Sequence, residues 1–319
     1  MIKKETQLWR YYGLVVAAWL VYILLTILAP ASQNTQVQLS EVARLVLTAT
    51  LLIPYMLTWL IAVVGWYHFN RFASDTERKH ARNYAGFRMI SRGLGILIFD
   101  LISIPLINVA RRVWVADENV AAALTILSNY LHIIIPLVAF GCLFLGSRKL
   151  VQGSHYAVAV RSTILPSLVA TLLFTVLFTI AVFGNTSRQV ATEAGRFATY
   201  YLPDPLIVLT IIIPLAVTWF VGLHAVLQIE RYVHSLSQVK WRRAIVNLFH
   251  GLLAVIGSSI ILQAITAFGS EQLQHVSLVL IIVIIYLFII LQAVGYLFIR
   301  ASAKQLRHLL RTGVPNETD

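Results

Sequence analysis

Two ionisable residues, Asp100 and His132, stand inside otherwise apolar stretches of this chain. A carboxyl beside an imidazole can pass a proton or hold a cation. Ionisable groups in such stretches are costly enough to be functional candidates by default. Each lies 16 residues from Ala116, so a helical hairpin turning there brings both to one depth. At about 1.5 Å per residue, that depth is near the middle of a bilayer. The expectation is a neighbouring pair forming a proton or cation site. The structural alternative is a hydrogen bond that locks the hairpin. Asn129, Gln263 and Gln292 are also polar and are expected to bond between helices.

Other chemistries lack their residues. An intramembrane aspartyl protease needs two carboxylates sharing a proton, and Asp100 has no second acid in an apolar stretch. Gly257-Ser258-Ser259 suits helix packing better than a nucleophile, since no base stands at a readable spacing. There is no zinc-type pair of histidines around a glutamate and no phosphate-cradling glycine loop. A single cysteine, Cys142, excludes a disulfide framework and a multi-cysteine metal site. The lysines (Lys3, Lys4, Lys79, Lys149, Lys240, Lys304) lie outside the apolar stretches, which excludes a Schiff base at mid-depth. His132, His224 and His250 give no matched pair of haem ligands. Neither a cofactor nor a metal nor catalysis is expected.

The elements that must position Asp100 and His132 follow from composition. Of 319 residues, 59% are hydrophobic and 12% charged, with a mean hydropathy of +0.79. A soluble domain is about 45–50% apolar and about 25% charged, so this is an integral membrane protein. Eight apolar windows of spanning length are separated by charge. They lie between Arg10 and Glu41, Arg44 and Arg71, Arg92 and Arg111, Glu118 and Arg148, Arg161 and Arg188, Asp204 and Glu230, Arg243 and Glu271, and Glu271 and Arg300. They lack the period-two alternation of a transmembrane barrel. The expected fold is an all-α polytopic membrane protein with eight transmembrane helices.

Of the 25 basic residues, 20 fall at the two ends and in alternate connections, including Arg71, Arg78, Lys79, Arg82, Arg88 and Arg92. Short basic loops mark the cytoplasmic side, so both termini are expected there, in a plasma or inner membrane. This bias also accounts for the net charge of +12 without nucleic acid. It makes the bilayer, and anionic lipids at the cytoplasmic face, the expected partners, beside a homo-oligomer or a membrane partner protein. Lys3, Lys4 and Ala29-Pro30-Ala31 resemble a cleaved leader, but the apolar run from Gly13 to Leu28 exceeds the usual 7–15 residues and reads as a retained span. Asn185-Thr186-Ser187 fits a glycosylation acceptor formally. Residues 300–311 place Leu306, Leu309 and Leu310 against Lys304, Arg307 and Arg311, an interfacial pattern that either lies on the membrane or continues the last span.

An internal repeat organises the spans. Thr50, Ile53, Pro54, Thr58 and Trp59 recur as Thr210, Ile213, Pro214, Thr218 and Trp219, at an offset of 160. Gly93-Leu94 recurs as Gly251-Leu252 at 158, and Gly141, Leu143 and Phe144 as Gly295, Leu297 and Phe298 at 154. The expectation is two four-helix repeats, residues 1–152 and 153–306, with a short tail at 307–319. An even number of spans gives both copies one orientation, related by an axis along the membrane normal. On these offsets the counterparts of Asp100 and His132 are Ser258 and Tyr286. Pro54 and Pro214 each free the carbonyl four residues earlier, those of Thr50 and Thr210. Nearby threonine hydroxyls, including Thr58 and Thr218, are candidate partners. A fixed kink is the first reading of this motif and a hinge the second. Trp59 and Trp219 read as packing anchors, and Gly141 and Gly295 as points of close helix approach.

Two functions remain. The first is a non-catalytic membrane component with a structural, lipid-binding or complex-forming role. The alternative is a small transporter or permeation protein with its pathway between the repeats and Asp100 and His132 as its ion site. A polar cavity at the repeat interface favours transport; a closed one favours assembly.

Overall fold

A computed structural model describes residues 2–28, 41–78, 84–113, 118–153, 163–183, 188–191, 197–200, 208–267 and 278–312. Ala29-Pro30-Ala31, Lys79, Ala116, the Asn185-Thr186-Ser187 sequence and the tail from 313 to 319 lie outside the described residues.

The helices are α1 (Ile2–Leu28), α2 (Glu41–Arg78), α3 (Tyr84–Val113), α4 (Glu118–Gly153), α5 (Ile164–Phe183), α6 (Ile213–Ser235), α7 (Val239–Ala267) and α8 (Leu278–Arg311). Among the described residues, six segments are long and apolar enough to cross a membrane, and they lie in α2, α3, α4, α6, α7 and α8. Arg10–Leu24 and Ile164–Leu177 are shorter apolar helices. The integral membrane class and its helical build therefore stand, with six long spans where eight were expected. A hairpin, β1 (Arg188–Ala191) antiparallel to β2 (Phe197–Tyr200), departs from the purely helical expectation. α8 continues without a break to Arg311, so the amphipathic stretch extends the last helix.

The six long helices touch in a closed cycle: α2 on α3, α3 on α4, α4 on α6, α6 on α7, α7 on α8, and α8 back on α2. α1 packs outside on α2 and α3, and α5 outside on α6. Much of α5 is exposed, with Leu165, Val169, Leu172, Leu173 and Leu177 all facing outward, as suits a lipid-facing helix.

Glycines set how closely the cycle closes. A methyl group on Gly251 would stand 2.8 Å from the Gly295 carbonyl oxygen, and one on Gly295 would stand 2.9 Å from that of Gly251, so α7 and α8 meet backbone to backbone. α3 and α4 meet the same way at Gly86 and Gly146. A methyl group on Gly141, by contrast, would meet nothing within 4 Å. Gly295 is thus a point of close helix approach, as expected, and Gly141 is not. Every buried position of α4 from His132 to Leu150 has a buried counterpart in α8 at an offset of 156, and none has one at 154. The sequence carries this register too: Tyr130-Leu131-His132-Ile133-Ile134 recurs as Tyr286-Leu287-Phe288-Ile289-Ile290. At that offset His132 aligns with Phe288, and Tyr130 with Tyr286.

Candidate functional site

Three prolines inside helices determine how the interior is wired. Proline removes the bond to the carbonyl four residues earlier, and in hydrocarbon that carbonyl needs another donor. Pro54 in α2 frees the Thr50 carbonyl, and the Tyr286 hydroxyl of α8 donates to it at 2.9 Å. Pro105 in α3 frees the Leu101 carbonyl, which accepts from the Tyr55 hydroxyl of α2 at 2.9 Å. Pro136 in α4 frees the His132 carbonyl, which accepts from Gln263 Nε2 of α7 at 2.9 Å. Each of these three acceptors is thus a tie to a neighbouring helix.

The threonine hydroxyls do something else. Thr58 Oγ1 donates to the Pro54 carbonyl at 2.9 Å, and Thr218 Oγ1 to that of Pro214 at 2.8 Å. Both bonds stay within one helix. This corrects the expectation for Thr58 and Thr218: each hydroxyl reaches the carbonyl four residues before its own position, which here is the proline's. The two copies of the motif also differ locally. Pro54 lies inside α2, whereas Pro214 opens α6 immediately after a π-helical turn at Val208–Ile212, which includes Thr210. Trp59 and Trp219 are both buried, and the Trp219 indole N–H donates to Gln263 Oε1 at 2.8 Å.

Asp100 and His132 come together across α3 and α4. His132 Nδ1 stands 3.9 Å from Asp100 Oδ1, too long for a direct hydrogen bond. The residues are 5% and 4% exposed. Asp100 Oδ1 and both imidazole nitrogens lack a hydrogen-bond partner among the described residues, as do Gln292 Oε1 and the Tyr296 hydroxyl of α8. Tyr55 and Tyr296 both lie within electrostatic reach of Asp100. Ser258 and Tyr286 are not brought together: Ser258 Oγ donates to the Val255 carbonyl of its own helix at 2.8 Å, and Tyr286 serves Thr50.

Other polar contacts hold helices in place. Arg88 Nη1 and Ser91 Oγ both donate to Asn70 Oδ1, at 3.1 and 3.0 Å, clamping α3 to α2. His224 Nδ1 and Ser167 Oγ lie 3.1 Å apart and fasten α5 to α6. Ser167 gives its hydroxyl proton to the Thr163 carbonyl at 2.7 Å, which leaves the histidine to donate and does not prepare a nucleophile. Among the described residues no group of three or more His, Cys, Asp or Glu is placed to hold a metal ion.

Gln263 bonds between helices as its sequence position leads one to expect, although its partner His132 is not readable from sequence; the contact from Tyr55 to Leu101 has no counterpart in the sequence reading. Each acceptor stands four residues before a proline, but the donors come from other helices and no local spacing announces the pairings. No family model, curated protein or solved structure matches this chain.

Proposed function

We propose that this protein is a non-catalytic multi-pass membrane component, with a structural, lipid-binding or complex-forming role. In this reading it has eight spans in two parallel four-helix units, with both termini cytoplasmic. The offsets of 160, 158 and 156 with their matched burial support the duplication. So does the contact cycle, which maps onto itself when α2, α3 and α4 exchange with α6, α7 and α8. The halves interleave in this scheme, because α2 packs on α8 and α6 on α4. The placement of 20 of 25 basic residues supports the orientation.

The observation that carries the functional reading is closure of the seam between the halves. A methyl group on Gly65 of α2 would stand 2.7 Å from the Tyr296 carbonyl oxygen of α8, and one on Gly222 of α6 would stand 2.8 Å from the Phe140 ring of α4. Phe140, Tyr296, Trp59 and Trp219 fill the same region and are buried. A permeation route between repeats would need that seam to part. The test is flux in sealed proteoliposomes under imposed proton and monovalent-cation gradients. Rates equal to those of protein-free vesicles are expected; sustained flux above them would replace this reading.

A second reading, transport centred on Asp100, draws on the unpartnered atoms of Asp100 and His132, which stand 3.9 Å apart, with Tyr296 within electrostatic reach, an arrangement unusual in a packed membrane interior. It expects proton-driven flux that Asp100→Asn abolishes while the protein still elutes as a folded monodisperse species. Flux unchanged in that variant would remove Asp100 from any coupling role.

A further inference from the structure

We infer that the basic end of α2 and α8 forms a binding site for an anion bearing a phosphate monoester or diphosphate. A cavity of about 460 Å³ opens there, lined by His68, Ala303, Lys304, Arg307, His308 and Arg311. That volume falls within the range of small-ligand sites, about 300–1,000 Å³. Three permanent cations and two imidazoles face one concavity. Arg71 and Arg300 add positive charge to the surroundings of His68, and Arg300 Nε is buried without a hydrogen-bond partner among the described residues. Asp75 does not neutralise the group. Its Oδ2 accepts from Arg307 Nε at 2.6 Å, which fixes one edge of the guanidinium and leaves its other nitrogens to donate. A guanidinium held in this way suits the forked recognition of phosphate oxygens.

Topology alone does not require this arrangement. A cytoplasmic charge bias is satisfied by basic residues anywhere in the loops, yet the matching end of α4 and α6 is built differently. There Val151 stands where α8 has Arg307, Gln152 where it has His308, and Gln228 where α2 has His68. Gln228 is engaged with Thr163 and His224. Arg148 keeps a cation at the position of Lys304, and Arg231 at that of Arg71. The concentration of cations at one end of the cycle therefore marks a site. Its position at headgroup depth rests on the membrane reading above; the anion chemistry does not. A lipid headgroup and a soluble diphosphate present the same oxygens, so the source is decided by experiment.

The full-length protein, purified in detergent, is titrated with phosphatidate and with phosphatidylglycerol under native mass spectrometry, and with inorganic diphosphate by equilibrium dialysis. The variants are the exposed pair Lys304→Gln/Arg311→Gln and, as a matched control, Arg148→Gln. Phosphatidate is expected to bind about tenfold tighter than phosphatidylglycerol, whose phosphodiester carries one charge fewer, and the double variant to lose about tenfold while Arg148→Gln loses nothing. That result assigns the site to a lipid. Diphosphate binding with the same sensitivity to the double variant, without phosphatidate preference, assigns it to a soluble phosphate. Equal losses in the control, no loss in the double variant, or no binding of either phosphate class overturns the site. Extraction of the protein from membranes by alkaline carbonate would sink the membrane reading separately, with diphosphate binding still measurable.

Discussion

Gln263→Leu is expected to destabilise the protein by roughly 2–6 kcal/mol, because two buried polar groups lose their partners at about 1–3 kcal/mol each. Gln263 is 2% exposed. Its Nε2 donates to the His132 carbonyl and its Oε1 accepts from the Trp219 indole. Leucine fills the space and offers neither bond. The diagnostic step is to repeat the substitution in a Pro136→Ala background. Alanine restores the N–H that proline lacks, so the His132 carbonyl regains its partner four residues on. The cost of Gln263→Leu should then shrink by about 1 kcal/mol, a coupling of the size expected for residues sharing one group. Reversible unfolding in mixed micelles of increasing sodium dodecyl sulfate measures both. An equal cost in the two backgrounds would mean that the proline-freed carbonyl does not explain Gln263.

The same logic separates what the sequence made legible from what it did not. Membrane class and helical build followed from composition and window length, because a bilayer permits few alternatives. The proximity of Asp100 and His132 followed from equal spacing about a hairpin centre. Register between helices was harder. Gly141, Leu143 and Phe144 matched Gly295, Leu297 and Phe298 on small and common apolar residues, which recur by composition alone in a chain this hydrophobic. The two-residue shift that pairs Tyr130-Leu131 with Tyr286-Leu287 uses a rarer aromatic and turns out to carry the burial pattern. In a helix two residues are about 200° of rotation, so an offset of 154 sets Tyr286 against the buried His132, whereas 156 sets the buried Phe288 there. The donor Tyr55, and the partner that Gln263 takes, stayed hidden for a different reason. The acceptors of Tyr55 and Gln263 lie 46 and 131 residues away, and only the packing of whole helices brings them into reach.

Glycine-to-leucine substitutions should read out that register in the protein itself. Gly251→Leu places its first side-chain carbon 2.7 Å from Ile299 Cγ1 and 2.8 Å from the Gly295 carbonyl oxygen. Isoleucine can change rotamer, but the carbonyl belongs to the backbone of α8, so relief requires α7 and α8 to separate. Overpacking of this kind costs about 1–3 kcal/mol and more where backbone must move. Separation here would also loosen Gln292, whose Nε2 reaches Ser259 Oγ across the same pair of helices at 3.5 Å. The expected result is a large fall in the yield of monodisperse protein and in its thermal midpoint by fluorescence-detected size exclusion. Gly295→Leu should behave alike, because its first side-chain carbon meets the Gly251 carbonyl at 2.9 Å. Gly141→Leu meets open space and should change stability by no more than about 0.5 kcal/mol, as a surface substitution does. The contrast is what makes the experiment decisive. If residues 141 and 295 were equivalent positions of a duplicated helix, both would sit at the helix contact and both leucines would be damaging. Under the register of 156 the equivalent of Gly295 is Ala139, whose carbonyl lies 2.8 Å from a methyl group placed on Gly93. Damage from Gly141→Leu comparable to that from Gly295→Leu, or tolerance of Gly251→Leu, would overturn the register and with it the correspondence of His132 to Phe288.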